Sequence, residues 1–271
     1  MDTVTPTTTN AASTAEVRLN SDSPIQVPDG INNIVSAIPY YCPTGAFSPD
    51  ETYITRVRLD SNDISVNPCR FMMSGVNTGD AAFASVQAPI LQEYNLNIPN
   101  ANGANINVYA QPMVNNTVAM SVGCELVYST SATGQQQYYN TPDAISTGGT
   151  VVNTRTSLNS ITVTDGKQIT SLNMLVGPTT AAASTHDVGE AIFTSSDFQV
   201  PFPYSFPIAP SFAGLGAAAA QLTNPNGISR QKFPAGHGIP LAPRALINSF
   251  YVNRDAKGVG STVMPFISFT R

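Results

Sequence analysis

Apolar residues in this chain fall in short runs broken by Pro, Gly, Asn and Asp, and the clearest of them alternates. In Tyr53-Ile54-Thr55-Arg56-Val57-Arg58-Leu59, residues 53, 55, 57 and 59 share one face and Ile54, Arg56 and Arg58 the other, the period of a half-buried strand. Further strands are expected at Val17–Leu19, Ile25–Val27, Ile34–Tyr41, Phe71–Met73, Leu96–Ile98, Ile106–Tyr109 and Val118–Tyr128. A polar stretch, residues 129–150, then carries no apolar period. Strands resume at Val151-Val152, Ser160–Val163, Ile169–Val176, Ala191–Phe193, Phe198–Val200, Leu246–Val252 and Val263–Phe269. Two stretches predict helix. Asp80–Gln87 opens on an Asp cap and is limited by Pro89; Ser211–Leu222 opens on a Ser cap and ends at Asn224-Pro225. Gly214 and Gly216 each cost the second helix about 1 kcal/mol against alanine, so it needs packing to form.

The pattern repeats. Ile25-Gln26-Val27-Pro28-Asp29-Gly30 matches Ile161-Thr162-Val163-Thr164-Asp165-Gly166 as I-x-V-x-D-G at an offset of 136 residues, half the chain. An apolar run follows each copy (Ile34–Tyr41, Ile169–Val176), then an Ala-rich helix candidate, then a closing strand that begins Thr-Val at Thr117 and Thr262. Features in one order at a near-constant offset indicate duplication: two β domains of one topology. The division expected is a flexible N-terminal arm at 1–15, a first domain at 16–130, a linker at 131–150 and a second domain at 151–271.

Composition narrows the class. The 271 residues are 42% hydrophobic but only 11% charged, less than half of the roughly 25% usual in soluble domains. With 21 Pro and 19 Gly between the runs, a helical bundle or coiled coil is excluded, and disorder does not fit a net charge of −5. No window approaches the ~20 apolar residues of a spanning helix. The start, Met1-Asp2-Thr3-Val4-Thr5-Pro6, has neither the basic nor the apolar region of a signal peptide. Of the 12 basic residues, Arg230, Lys232, Arg244, Arg254, Lys257 and Arg271 lie near the C-terminus. They are either solvated loop charges or one surface turned toward an anionic layer. A pI near 4.8 and the lack of a basic arm speak against direct nucleic-acid binding.

Candidate chemistry is sparse. Cys42, Cys69 and Cys124 are widely spaced and read as buried free thiols, with one disulfide left open. His186 and His237 belong to no HxH or HExxH and read as exposed loop histidines. Asp60-Ser61-Asn62-Asp63 begins like a calcium loop but lacks the following Gly and the distant Glu, so a polar turn is expected. Tyr40-Tyr41 and Tyr138-Tyr139 suit packing or subunit contact, and Asn115-Asn116-Thr117 is a sequon by pattern only. No catalytic, cofactor-binding or metal-binding residue is expected, and no enzyme.

About eight short strands in each half, a late helix and the lack of a Cys…Trp…Cys signature suit jelly rolls better than immunoglobulin sandwiches. Over residues 16–271 the repeat and its strand pattern resemble the double jelly-roll major capsid proteins of tailless icosahedral, membrane-containing bacterial and archaeal viruses. The resemblance implies an all-β fold of two tandem eight-stranded jelly rolls, each with one short inserted helix. It also implies a structural protein whose homotrimers, pseudo-hexagonal capsomers, assemble an icosahedral shell. Such a protein is made in the host cytoplasm and ends in the virion, with itself, minor capsid or vertex proteins and an internal lipid membrane as partners. Two alternatives stay open: a tandem β-sandwich vertex or spike protein that binds a receptor or glycan, and a tandem jelly-roll glycan hydrolase. The hydrolase requires carboxylates that converge in a cleft between the halves.

Overall fold

A computed structural model describes residues 2–3, 7–9, 15–20, 23–43, 51–77, 92–113, 120–131, 134–143, 146–178, 185–186, 188–198, 203–208, 212–213, 228–254 and 261–271. The protein is all-β, built of antiparallel sheets, with no helix among the described residues. Each half pairs two sheets. In the first half, Tyr94–Pro99, Asn33–Pro43 and Met120–Ser129 lie side by side, and the short Asp2–Thr3 and Thr7–Thr9 pair along the far edge of Met120–Ser129. The facing sheet runs Arg70–Asn77, Glu51–Asp60, Asn105–Pro112, then Val17–Arg18 and Ile25–Gln26.

The second half repeats that order. One sheet runs Ile228–Lys232 with Ile239–Pro240, then Gln168–Pro178, Ser261–Thr270, and Tyr138–Asn140 with Ser146–Gly148. The other runs Tyr204–Ile208, Gly189–Thr194, Ala245–Asn253, then Arg155–Ser157 and Ile161–Val163. The I-x-V-x-D-G copies occupy one position in each half: Ile25 pairs with Ile106, and Ile161 with Ile247. Even a bulge is repeated. Against the closing strand of each half, Met120–Ser129 and Ser261–Thr270, the pairing slips by one residue at Val35 and again at Thr170, near the start of each long strand.

Several expectations change. Strands fill part of the stretches expected to be arm (residues 2–3 and 7–9) and linker (138–140 and 146–148), because each supplies the outer strand of a sheet that would otherwise end in unpaired backbone. Val151 and Val152 are not a strand: they sit in a turn, 66% and 37% exposed, and the pairing begins at Arg155. Of the expected helix Ser211–Leu222, Phe212–Ala213 is a strand paired with Thr185–His186, while its other residues, like all of Asp80–Gln87, lie outside the described residues. Around Thr55 the strand Glu51–Asp60 is buried on both faces, not one, since Ile54 and Arg56 are only 1% and 5% exposed.

The halves share a core. Along Ser261–Thr270, Val263, Ile267 and Phe269 face the second half's interior, whereas Met264 and Phe266 point the other way into the first half's core. Leu175 and Tyr139 join them, against Phe71 and Tyr94. One sheet of the second half therefore covers the open edge of the first sandwich, and every residue of Ser261–Thr270 is buried.

Candidate functional site

Where the shared core reaches the surface, it opens into a groove of about 320 Å³ lined from both halves. Asn95 and Asn97 come from the outward face of Tyr94–Pro99, because Tyr94, Leu96 and Ile98 alternate inward. Gln135 and Gln137 cross from one half to the other, Gln137 held by its N–H on the Leu96 carbonyl at 2.8 Å. The floor belongs to the second half. Its bulge turns Thr170 into the groove, where the hydroxyl lies 2.6 Å from Gln137 Oε1 and 2.8 Å from Ser268 Oγ. The Thr170 carbonyl accepts the Phe233 N–H at 3.0 Å, which fixes the rim.

Beneath these lies a chain of buried polar groups. Ser171 and Ser268 hydroxyls are 2.5 Å apart, Asn173 Nδ2 donates to Ser171 Oγ at 2.9 Å and to the Phe266 carbonyl at 3.2 Å, and Asn173 Oδ1 accepts from Arg230 Nε at 2.7 Å. The Arg230 guanidinium stands 5.8 Å from the centre of the Tyr94 ring. Tyr139 donates its hydroxyl to the Asn95 carbonyl at 3.0 Å; burial raises its pKa above the ordinary tyrosine range, and nearby Arg230 works against that rise. Glu93 and Lys232 complete the charged lining. Chemically, the groove offers amides, hydroxyls, two cations and one carboxylate.

A second opening, about 340 Å³, is lined by Asn67, Pro68, Arg70, Asn140, Thr162, Thr164 and Arg271. Beside it, Asp143 lies 2.7 Å from Arg70 Nη1 and 3.2 Å from Arg56 Nη1, and Glu16 lies 3.5 Å from Arg56 and 2.7 Å from Arg58. Burial and the neighbouring Arg70 lower the Arg56 pKa; Glu16 and Asp143 act against both. This network ties Glu16, just ahead of Val17–Arg18, and Asp143, beyond Met120–Ser129, to Glu51–Asp60 and Arg70–Asn77.

The residues singled out from sequence are scattered. Asp60 pairs with Arg58 at 3.1 Å, and Asp63 Oδ2 accepts from Asn105 N and Nδ2 at 2.8 and 3.0 Å, so both carboxylates tie a turn rather than converge on a cation. His237 is exposed in a turn, its N–H on the Pro234 carbonyl; His186 lies in its own short strand pair. Among the described residues no group of three or more His, Cys, Asp or Glu is placed to hold a metal. Cys69 and Cys124 are buried free thiols, burial pushing Cys69 up to about 12 and Cys124 higher still. Tyr138 stacks on Phe269 with Arg271 over its other side, and Tyr40 packs on Gly123, where a Cβ would meet its ring at 2.3 Å. The sequon at Asn115 lies outside the described residues. Of the C-terminal cations, Arg254 pairs with Glu190 at 2.7 Å, and Arg244 and Arg254 flank opposite ends of Ala245–Asn253, roughly 30 Å apart. Arg244 and Arg254 therefore share no single patch, and Lys257 lies outside the described residues. No sequence motif marked Gln137, Thr170 or Asn173; only a bulge and a crossing segment bring them together.

No protein-family model matches the chain, and no curated protein matches it. Among solved structures it is similar to PNGF-II, at 10% identity and a TM-score of 0.52, covering all of this chain and 65% of that one. The likeness concerns the fold. The STIV MCP, a viral capsid protein, aligns over 100% of this chain and 97% of its own at 9% identity with a TM-score of 0.47. The T=1 Penaeus vannamei nodavirus structure aligns over 100% of both chains at 10% identity and 0.23.

Proposed function

We propose that this chain is a viral structural protein, a double jelly-roll major capsid protein that works as a homotrimer. The reading is supported by the matching strand order of the two sheets in each half, which is compatible with tandem jelly rolls.

One observation carries the reading. The second half's outward sheet face, with Ser171, Asn173, Leu175, Met264, Phe266 and Ser268, is covered by the first half of the same chain. Register sets these opposite each other as Ser171–Ser268, Asn173–Phe266 and Leu175–Met264; the first half has Ser36–Val127, Ile38–Glu125 and Tyr40–Gly123 in the equivalent places. Ile38, Tyr40 and Val127 are apolar or aromatic and only partly buried. When a neighbouring copy covers this face as the first half covers the second, the contact is head-to-tail and three chains close a ring of six rolls. A low charge density keeps repulsion between copies small. Association in the virion with further shell proteins and an internal membrane extends the same reading.

The test is solution mass by light scattering, followed by electron microscopy at higher concentration. The expected result is a trimer that forms hexagonal arrays and that Ile38→Asp converts to a folded monomer. A wild-type chain that stays monomeric at every concentration overturns the proposal.

A further inference from the structure

We propose that a neighbouring copy covers the first half's outward face with its strand Ile228–Lys232, and that Lys232 of one copy pairs with Glu125 of the next. The inference rests on the homotrimer reading and names the two surfaces that meet in it.

The chain carries its own template for this contact. Where the first half covers the second half's outward face, the Tyr94 ring stands 6.3 Å from the Phe266 ring, and Asn95 lines the groove beside Ser171 and Ser268. Register identifies the counterparts. Tyr94 pairs with Ala37 and Asn95 with Ser36 in the first half, as Gln231 pairs with Leu172 and Lys232 with Ser171 in the second. On the covered face, Phe266 and Ser268 correspond to Glu125 and Val127. A copy that docks as the halves do therefore brings Gln231 to Glu125 of the next copy and Lys232 beside its Val127. Val127 is two residues from Glu125 on one strand face, roughly 7 Å, within reach of a lysine side chain.

The chemistry of these counterparts is complementary. Within the chain the contact is a phenylalanine against a tyrosine; between copies it becomes a carboxylate against an amide and an ammonium group. Glu125 is half-buried, whereas Gln231 and Lys232 are exposed. Among the described residues neither Glu125 nor Lys232 has an ion-pair partner. Covering Glu125 without a cation leaves a buried charge uncompensated, so the docking surface has to supply one. Ile38 and Tyr40, partly buried on the same face, are left for the apolar part of the docking edge, where Tyr204 and Phe233 pack edge-on at 5.9 Å. Because Glu125 and Lys232 lie on different halves, the pair also fixes the head-to-tail order.

The test compares wild type, Glu125→Lys, Lys232→Glu and the combined variant by light scattering over a concentration series, with circular dichroism to confirm that each is folded. Each single reversal is expected to raise the concentration of half-dissociation at least about tenfold, and the combined variant to recover to within about threefold of wild type. Carbodiimide treatment of mixed isotope-labelled and unlabelled wild type gives a readout that needs no variant. It condenses the Lys232 amine with the Glu125 carboxylate into an amide, the water lost hydrating the carbodiimide to a urea, and linked peptides of mixed label are expected. Three results overturn the pairing and leave the trimer standing: a trimer that both reversals leave intact, a combined variant no better than the singles, or coupling of Lys232 to Glu93 of its own chain instead. A wild-type chain that is monomeric at every concentration overturns the homotrimer reading and the pairing with it.

Discussion

Truncating Phe266 separates a shared core from two merely adjacent ones. Its ring belongs to a second-half strand but is fully buried in the first half's core, 6.3 Å from the Tyr94 ring, with Met264 and Leu175 beside it. Phe266→Ala leaves a cavity that rigid sheets on both sides cannot close, a loss of about 3–5 kcal/mol. With an m-value of about 5 kcal/mol/M in guanidinium chloride, the unfolding midpoint falls by about 0.6–1 M. Far-UV circular dichroism and tyrosine fluorescence are expected to trace one coincident transition before and after the change. Hydrogen exchange adds the spatial readout: amides in Arg70–Asn77 and Tyr94–Pro99, on the other half, exchange faster in the variant. A midpoint shift below about 0.2 M, or faster exchange confined to second-half strands, would refute the shared core.

Glu16→Gln removes the carboxylate common to Arg56 and Arg58 and is expected to cost about 1–3 kcal/mol in chemical denaturation; Asp143→Asn, at an 81% exposed position, costs less than about 1 kcal/mol. In a Cys42→Ser background, Cys69 and Cys124 are expected to resist a disulfide reagent at about pH 8 and to react at once when the protein is unfolded, because burial keeps both thiols protonated. The hydrogen bond from Arg254 holds Glu190 below the ordinary carboxylate range, so its contribution is present above the unfolded pKa and lost as pH falls through the lower folded one. The stability gap between wild type and Arg254→Gln is accordingly at most ~1 kcal/mol at neutral pH and closes on acidification, as urea titrations across that range will show.

Much of the fold was legible because strand periodicity is a local signal. The copies of I-x-V-x-D-G mark the same strand of each half, and the long apolar runs after them became the long central strands Asn33–Pro43 and Gln168–Pro178. The errors share one cause. Tyr138–Asn140 and Ser146–Gly148 are too polar and short to announce themselves, since their strand conformation comes from the edge of Ser261–Thr270. Val151-Val152 has strand-like side chains but no neighbouring edge and is left in a turn. The groove was harder still, because bulge position and sheet-to-sheet contact depend on residues distant along the chain. The sequence marks Arg230 by its charge alone; its anchoring on Asn173 depends on a strand pairing between residues 57 positions apart.

The duplication also explains why the halves differ where they do. Glu125 and Phe266 hold equivalent positions on the outward faces of the two sheets, paired with Ile38 and Asn173. A phenylalanine there commits the second half's face to permanent burial inside its own chain. A glutamate commits the first half's face to nothing, since leaving it in water is cheap and covering it requires a partner for the carboxylate. The apolar run Val263-Met264-Pro265-Phe266-Ile267 carried that information as unbroken hydrophobicity, the mark of a strand covered on both sides. Met120–Ser129 alternates instead, with Val122, Cys124 and Leu126 inward and Gly123, Glu125 and Val127 outward. One sheet face is core and its counterpart in the other half is surface, an asymmetry that would suit the head-to-tail contact proposed above.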